Sequence, residues 1–329
     1  MTPLLEIRDL QVQIGTARGV VRAVDGVSFT LEEGQTMGLV GESGSGKTMT
    51  LRSILRLLPA GARVTGGQVL YRGEDLTHMP ERQLGGIRGR RISMIFQEPM
   101  SALNPVMRVG DQIAEGPVAH LGYSKTRARR YAIELLERVG IPDATRAARS
   151  YPHELSGGMR QRVMIAIAVS SNPDLILCDE PTTALDVTIQ DQILELLREL
   201  CTSTGAGLVY VTHDLAVVAE TCQSLTVMYA GQFIESGPVD GLLREPRHPY
   251  TLGLLRSVPD IDQRRELTAI PGRPPNLISR PPGCSFHPRC TLAGDECRSG
   301  DFPLRPVAGG RLTACIHHDQ CATLNAPVR

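Results

Sequence analysis

Eight consecutive residues, Gly41-Glu42-Ser43-Gly44-Ser45-Gly46-Lys47-Thr48, constrain this chain more than any other feature. They follow the apolar run Met37 to Val40 and precede a helix-type run reaching Leu58, so G-x-x-x-x-G-K-[ST] stands between a strand and a helix, the context of a phosphate-binding loop. The glycines let successive backbone N–H groups converge on a phosphate, and the helix N-terminus adds positive dipole. Lys47 reaches the β- and γ-phosphates, and Thr48 is placed to ligate Mg²⁺. A glycine-rich turn explains the pattern poorly, because Lys47 is one of only two lysines in 329 residues.

Short β-rich runs alternate with helical patterns: Thr36 to Val40, Ile92 to Phe96, Leu175 to Cys178, Leu208 to Val211 and Leu225 to Tyr229. That alternation predicts an α/β chain with a parallel sheet. Between Glu98 and Ser171 it breaks. Apolar residues there recur at helical spacing over Lys125 to Val139 (Ala128, Ala132, Leu135, Leu136, Val139) and again over Gly157 to Val169, which predicts a helical insertion at about 98–171. Leu10, Val12 and Ile14 alternate with polar residues, and with Val20, Val21 and Val24 they predict an antiparallel flank. From Pro259 onward lie 10 of the 23 prolines, so the expected boundary divides a domain at 1–258 from an extension at 259–329.

Asp179 and Glu180 close the apolar run Leu175 to Cys178 at its C-terminal end, the edge where α/β sheets keep ligands. Asp179 suits Mg²⁺, directly or through water. Glu180 suits polarising an attacking water, a role typically worth about 10²- to 10⁴-fold in rate. Leu155-Ser156-Gly157-Gly158-Met159-Arg160-Gln161 opens a helix, with Ser156 as its cap and two glycines allowing close approach, but it carries no base or metal ligand.

This last segment resembles the LSGGQ signature of ATP-binding-cassette proteins. The resemblance implies that Ser156, Gly157 and Gly158 meet the ATP of a second cassette in a head-to-tail dimer. Other landmarks follow in family order. Gln97 resembles the Q-loop glutamine, which senses the γ-phosphate and Mg²⁺; Ala184-Leu185-Asp186 resembles the D-loop; and His213 resembles the switch histidine. The implied fold is a P-loop cassette domain, a mixed sheet with an antiparallel β flank and a helical insertion. One departure stands out: the family stacks adenine on an aromatic upstream of the P-loop, whereas the first aromatic here is Phe29, and Ile14 or Val20 is expected to substitute.

The remainder resembles the D-type ATP-binding subunits of oligopeptide and dipeptide importers. The likeness is carried by Arg247 to Leu255, by Ile270-Pro271-Gly272-Arg273-Pro274-Pro275, and by Gly283-Cys284-Ser285-Phe286-His287-Pro288-Arg289-Cys290. It implies a second, related ATPase as heterodimer partner, two transmembrane permeases, and an extracytoplasmic peptide-binding protein. The expected location is then peripheral, on the cytoplasmic face of the cell membrane. Five of the eight cysteines fall in the last 46 residues. Cys284, Cys290, Cys297 and Cys315 lack the C-x₂-C knuckles of structural zinc, and cytosolic context disfavours disulfides. Four thiolates suit a [4Fe–4S] cluster, which the tail resemblance also implies; zinc is the alternative, and Cys321, His317 and His318 compete for the fourth position. The centre is expected to be a structural staple, leaving the P-loop chemistry to the cassette.

Equal counts of Lys+Arg and Asp+Glu, 35 each, leave no global basic field, and aromatics at 4% with no Trp offer few stacking platforms, so a nucleic-acid partner is not expected. VMIAIAV, bounded by Arg162 and Ser170, falls far short of the roughly 18 apolar residues of a membrane span. Glu6 and Asp9 sit where a secretory signal would be basic, then apolar. Two alternatives to a peptide-importer motor are an ATPase importing nickel or another solute, and a soluble cassette ATPase acting on nucleic acid or ribosomes.

Overall fold

The computed structural model describes residues 2–182, 186–257 and 268–324. In chain order the strands are β1 (Leu5–Thr16), β2 (Gly19–Leu31), β3 (Thr36–Val40), β4 (Ala62–Tyr71), β5 (Glu74–Asp75), β6 (Ile92–Ile95), β7 (Leu175–Asp179), β8 (Gly207–Thr212), β9 (Ser224–Tyr229), β10 (Gln232–Pro238), β11 (Arg305–Val307) and β12 (Arg311–Thr313). The helices are α1 (Lys47–Ile54), α2 (Glu81–Gly85), α3 (Pro99–Ala102), α4 (Val109–Leu121), α5 (Lys125–Arg138), α6 (Ala144–Arg149), α7 (Gly157–Val169), α8 (Val187–Thr204), α9 (Leu215–Thr221), α10 (Val239–Arg244), α11 (Pro249–Ser257) and α12 (His318–Leu324).

Two compact units divide the chain, each assembled from separate stretches. One comprises Met1–Leu4, Leu31–Gln35 and His78–Tyr210; the other comprises Leu5–Thr30, Thr36–Thr77 and Val211–Arg329. The second holds the P-loop and the tail together. Its antiparallel flank has strand order β2-β1-β4-β5, with β1 against β4 from Leu5↔Tyr71 to Ile14↔Ala62. Leu5, Ile7, Leu10 and Val12 point into the core from β1, as period-two alternation requires, and the register slips between Arg8 and Val12, where Asp9 takes φ +46°. A further run of strands is ordered β11-β12-β10-β9-β3. Parallel pairing of β3 with β9 gives way to antiparallel pairing of β9 with β10 and of β10 with β12, so two short tail strands continue the sheet that carries the P-loop.

The predicted helix through Leu58 stops at Ile54. Arg56 adopts φ +52°, and the N–H of Leu57 closes on the carbonyl of Arg52 at 2.8 Å, a left-handed stop backed by Pro59.

In the other unit β8, β7 and β6 are neighbours in that order, and β7 and β6 run parallel from Ile92↔Leu175 to Ile95↔Cys178. Every residue of β6 and β7 is buried, which explains why they read as continuous apolar runs rather than alternations. Helices α3 to α7 fill the stretch between these strands. On α5 the buried residues are Ala128, Ala132, Leu135 and Leu136, the stripe that helical periodicity predicts.

Candidate nucleotide site and cysteine-lined tail

β3 ends buried at Val40, and the loop turns at once. A Cβ on Gly41 would stand 2.2 Å from the carbonyl of Met228, and one on Gly46, at φ +112°, 2.3 Å from the carbonyl of Ala23, so no side chain fits at either position. Gly46 precedes α1 without a side-chain cap, leaving the helix N–H groups directed outward. Lys47 is buried and donates to the carbonyls of Gly41 (2.7 Å) and Glu42 (3.1 Å). The buried Ser45 hydroxyl has no hydrogen-bond partner among the described residues. An uncapped N-terminus, an ammonium and an orphan hydroxyl form a cradle that suits phosphate. Ser43 and Gly44 are exposed at the loop tip and Thr48 is half-buried. His213, after β8, lies in the same unit and is exposed.

The other unit holds the remaining candidates. Asp179 ends β7 fully buried, and Glu180 follows, half-buried, with φ +48°. A non-glycine residue in the left-handed region costs of order 1–3 kcal/mol and is retained where the side chain's direction matters. Sequence patterning contains no signal for that twist. Gln97 lies exposed two residues beyond β6. Ser156 caps α7, its hydroxyl accepting the N–H of Met159 at 3.3 Å, as the sequence predicts. A Cβ on Gly157 would meet nothing within 4 Å, whereas one on Gly158 would lie 3.1 Å from Ile189. Asp186 caps α8 by accepting the N–H of Ile189 at 2.9 Å; Ala184 and Leu185 lie outside the described residues. Of the two expected adenine contacts, Ile14 is half-buried and Val20 exposed.

In the tail, Cys284, Cys290, Cys297 and Cys315 line a single small cavity with Phe286, Phe302 and His317. Cys321 is buried outside that lining. Burial raises the Cys290 thiol to about 11 and Cys315 to about 12, and pushes Cys284 upward too, with neighbouring cysteines adding to each shift. Such thiols stay protonated until a metal displaces the proton. Among the described residues no three His, Cys, Asp or Glu side chains are grouped to hold a metal ion.

Sequence reasoning missed a connection between tail and loop. Arg289 is buried and forks onto the carboxylate of Glu42, at 2.7 and 2.9 Å, and Glu42 donates its backbone N–H to the hydroxyl of Tyr250 at 2.8 Å. The partners are 247 and 208 residues apart in sequence, beyond the reach of any local pattern.

Residues 24–183 match the family model described as ABC transporter, and residues 234–297 match that of the oligopeptide/dipeptide transporter C-terminal region. A Brucella abortus (strain 2308) protein named for peptide import and ATP binding is 50% identical over 314 residues, 95% of this chain and 94% of its own. The oligopeptide transport ATP-binding protein OppD of Salmonella typhimurium (strain LT2) is 47% identical over 314 residues, 95% of this chain and 93% of its own. The chain belongs to the ATP-binding-cassette ATPase subunits of oligopeptide importers. As such an ATPase it has the cassette fold: the dimeric cassette MJ0796, solved in a post-hydrolysis state with ADP and Pi, superposes with TM-score 0.64 at 28% identity, covering 71% of this chain and 98% of that one. ATP with Mg²⁺ is the substrate expected of such a subunit. Among the described residues no helix of this importer ATPase is long and apolar enough to cross a membrane.

Proposed function

We propose that the chain is the motor of a peptide importer, one of two related but non-identical cassettes seated on a pair of permeases at the cytoplasmic face of the membrane and served by an extracytoplasmic peptide-binding protein. The cradle at Gly41 to Thr48 carries this reading, because its uncapped helix end, the ammonium of Lys47 and the orphan Ser45 hydroxyl together suit an anion. Gly41 to Lys47 hold the phosphates; Thr48, Gln97 and Asp179 serve Mg²⁺; Glu180 polarises water, oriented by His213; Ser156, Gly157 and Gly158 close on the partner's ATP, with Asp186 beside it. The match of residues 234–297 to the oligopeptide/dipeptide region supports peptides as cargo.

Glu180→Gln is expected to retain MgATP binding while nearly abolishing turnover by the assembled transporter, whereas Lys47→Ala loses binding itself. Undiminished hydrolysis by Glu180→Gln, or equal nucleotide affinity in the two variants, would defeat the assignment.

The four cysteines lining one cavity support a [4Fe–4S] centre. Bound there, the cluster would staple a proline-rich segment poor in apolar core. Anaerobically purified protein should contain roughly four Fe per chain with acid-labile sulfide. Stoichiometric zinc without iron would establish the alternative.

A further inference from the structure

Glu42, the second residue of the P-loop, has every polar group engaged. Its N–H goes to Tyr250, its carbonyl accepts Lys47 and the N–H of Ser45 (3.2 Å), and its carboxylate takes the fork of Arg289. Arg289 is itself fixed. Its Nε donates to the carbonyl of Pro271 at 2.8 Å, and its guanidinium carbon lies 5.8 Å from the Tyr229 ring centre. Behind it Tyr229, Tyr250 and Phe286 pack mutually, with centroids 4.6 to 5.3 Å apart.

Arg289 also ends a short 3₁₀ turn, His287–Arg289, set between two of the cavity cysteines. Cys284 donates its N–H to the carbonyl of Cys297 (2.9 Å), His287 to that of Cys284 (3.0 Å), and Cys290 to that of His287 (3.2 Å). The turn that presents the guanidinium is thus built from the residues that line the cavity.

We infer that Arg289 and Tyr250 are positioning residues for the P-loop, so that the cysteine-lined tail sets nucleotide affinity. This rests on the reading of Gly41 to Thr48 as the phosphate cradle. A staple meant only to order the tail would need no bond to the loop. Here a half-buried, bidentate and charge-assisted pair is spent on the one loop residue that bridges Gly41 and Ser43, whose carbonyl also receives Lys47. With Glu42 clamped from both sides, Lys47 can leave its two carbonyls for phosphate while the loop keeps its shape. Ordering before the ligand arrives lowers the entropic cost of binding.

The test compares equilibrium binding of a fluorescent ATP analogue to the full chain, wild type against Arg289→Gln, Arg289→Lys, Glu42→Gln and the double variant Glu42→Gln/Arg289→Gln. Tail order is followed by hydrogen exchange over residues 290–324. Arg289→Gln is expected to weaken the analogue roughly three- to tenfold, as for loss of one charge-assisted pair that orders a loop. In the assembled transporter it should raise KM for ATP more than it lowers kcat. Arg289→Lys, which keeps the charge but loses the fork, falls between, and the double variant binds no worse than the weaker single one. Glu42→Gln breaks the same pair without altering the tail sequence, so it decides the matter if Arg289→Gln does not fold. Wild-type affinity in Arg289→Gln with an ordered tail, or additive losses in the double variant, overturns the positioning role alone. A wild-type chain without affinity for the analogue overturns the cradle reading with it.

Discussion

Glu235 on β10 is fully buried, and its carboxylate accepts the backbone N–H groups of Arg247 (2.7 Å) and His248 (3.0 Å). Burial is the dominant influence and lifts its pKa from the ordinary 4.5 to about 7, against the downward pull of Thr251, those two amides and the charge of Arg311. Between these values the folded chain keeps a proton that the unfolded chain has released. The group's contribution to stability is therefore fully present below pH 4.5 and is lost as pH rises through 7. The difference between 7 and 4.5, at 1.36 kcal/mol per unit, makes the swing about 3 kcal/mol. Glu235→Gln removes the titration. With only one carbonyl oxygen it also leaves one amide poorly served, a pH-independent cost of about 1–3 kcal/mol. Urea unfolding of both chains from pH 4.5 to 8.5 separates the two effects, because other titrating groups cancel in the difference. The wild type should lose about 3 kcal/mol relative to Glu235→Gln as pH rises. A flat difference would refute the argument from burial, and a rising one would mean that the ionised form is the one the fold favours.

Gly46→Ala should abolish nucleotide binding, since its methyl group would meet the carbonyl of Ala23 at 2.3 Å; Gly44→Ala, at φ +77° with open space around it, should cost only backbone strain of about 1 kcal/mol. Calorimetry with MgATP and thermal melts distinguish the pair. Substitutions across Glu98 to Leu103, which include α3 and the half-exposed Met100, should uncouple ATPase from transport, because this segment follows Gln97 and carries no catalytic group. Crosslinking that leaves the segment remote from the permeases would count against it.

Legibility from sequence tracked the range of the interaction involved. β3, α5 and α7 lie within a residue of their predicted bounds, because apolar spacing and a capping Ser156 act over a few neighbours. β4 carries no comparable signal: Gly66 and Gly67 interrupt it and its burial alternates only weakly, so its place beside β1 follows from pairing alone. β11 and β12 are three residues each, too short for any period to register. At the site the loop glycines were readable as chemistry. The left-handed backbone of Glu180 and the grip of Arg289 on Glu42 were not, since one is a twist imposed at a strand end and the other a contact closed by the fold.

Gly157 leaves an empty space where a side chain would stand. Alanine at the first turn of α7 meets no obstacle within this chain and is the better helix former, so the isolated subunit would tolerate or even prefer it. In the proposed head-to-tail dimer the same methyl group would intrude on the nucleotide of the opposing cassette. A chain altered there would express, fold and load its own P-loop like the normal one, and fail only once incorporated, taking an unaltered partner out of use with it. The vacancy makes this position suited to a dominant inhibitor that a stability screen of single subunits would pass as sound.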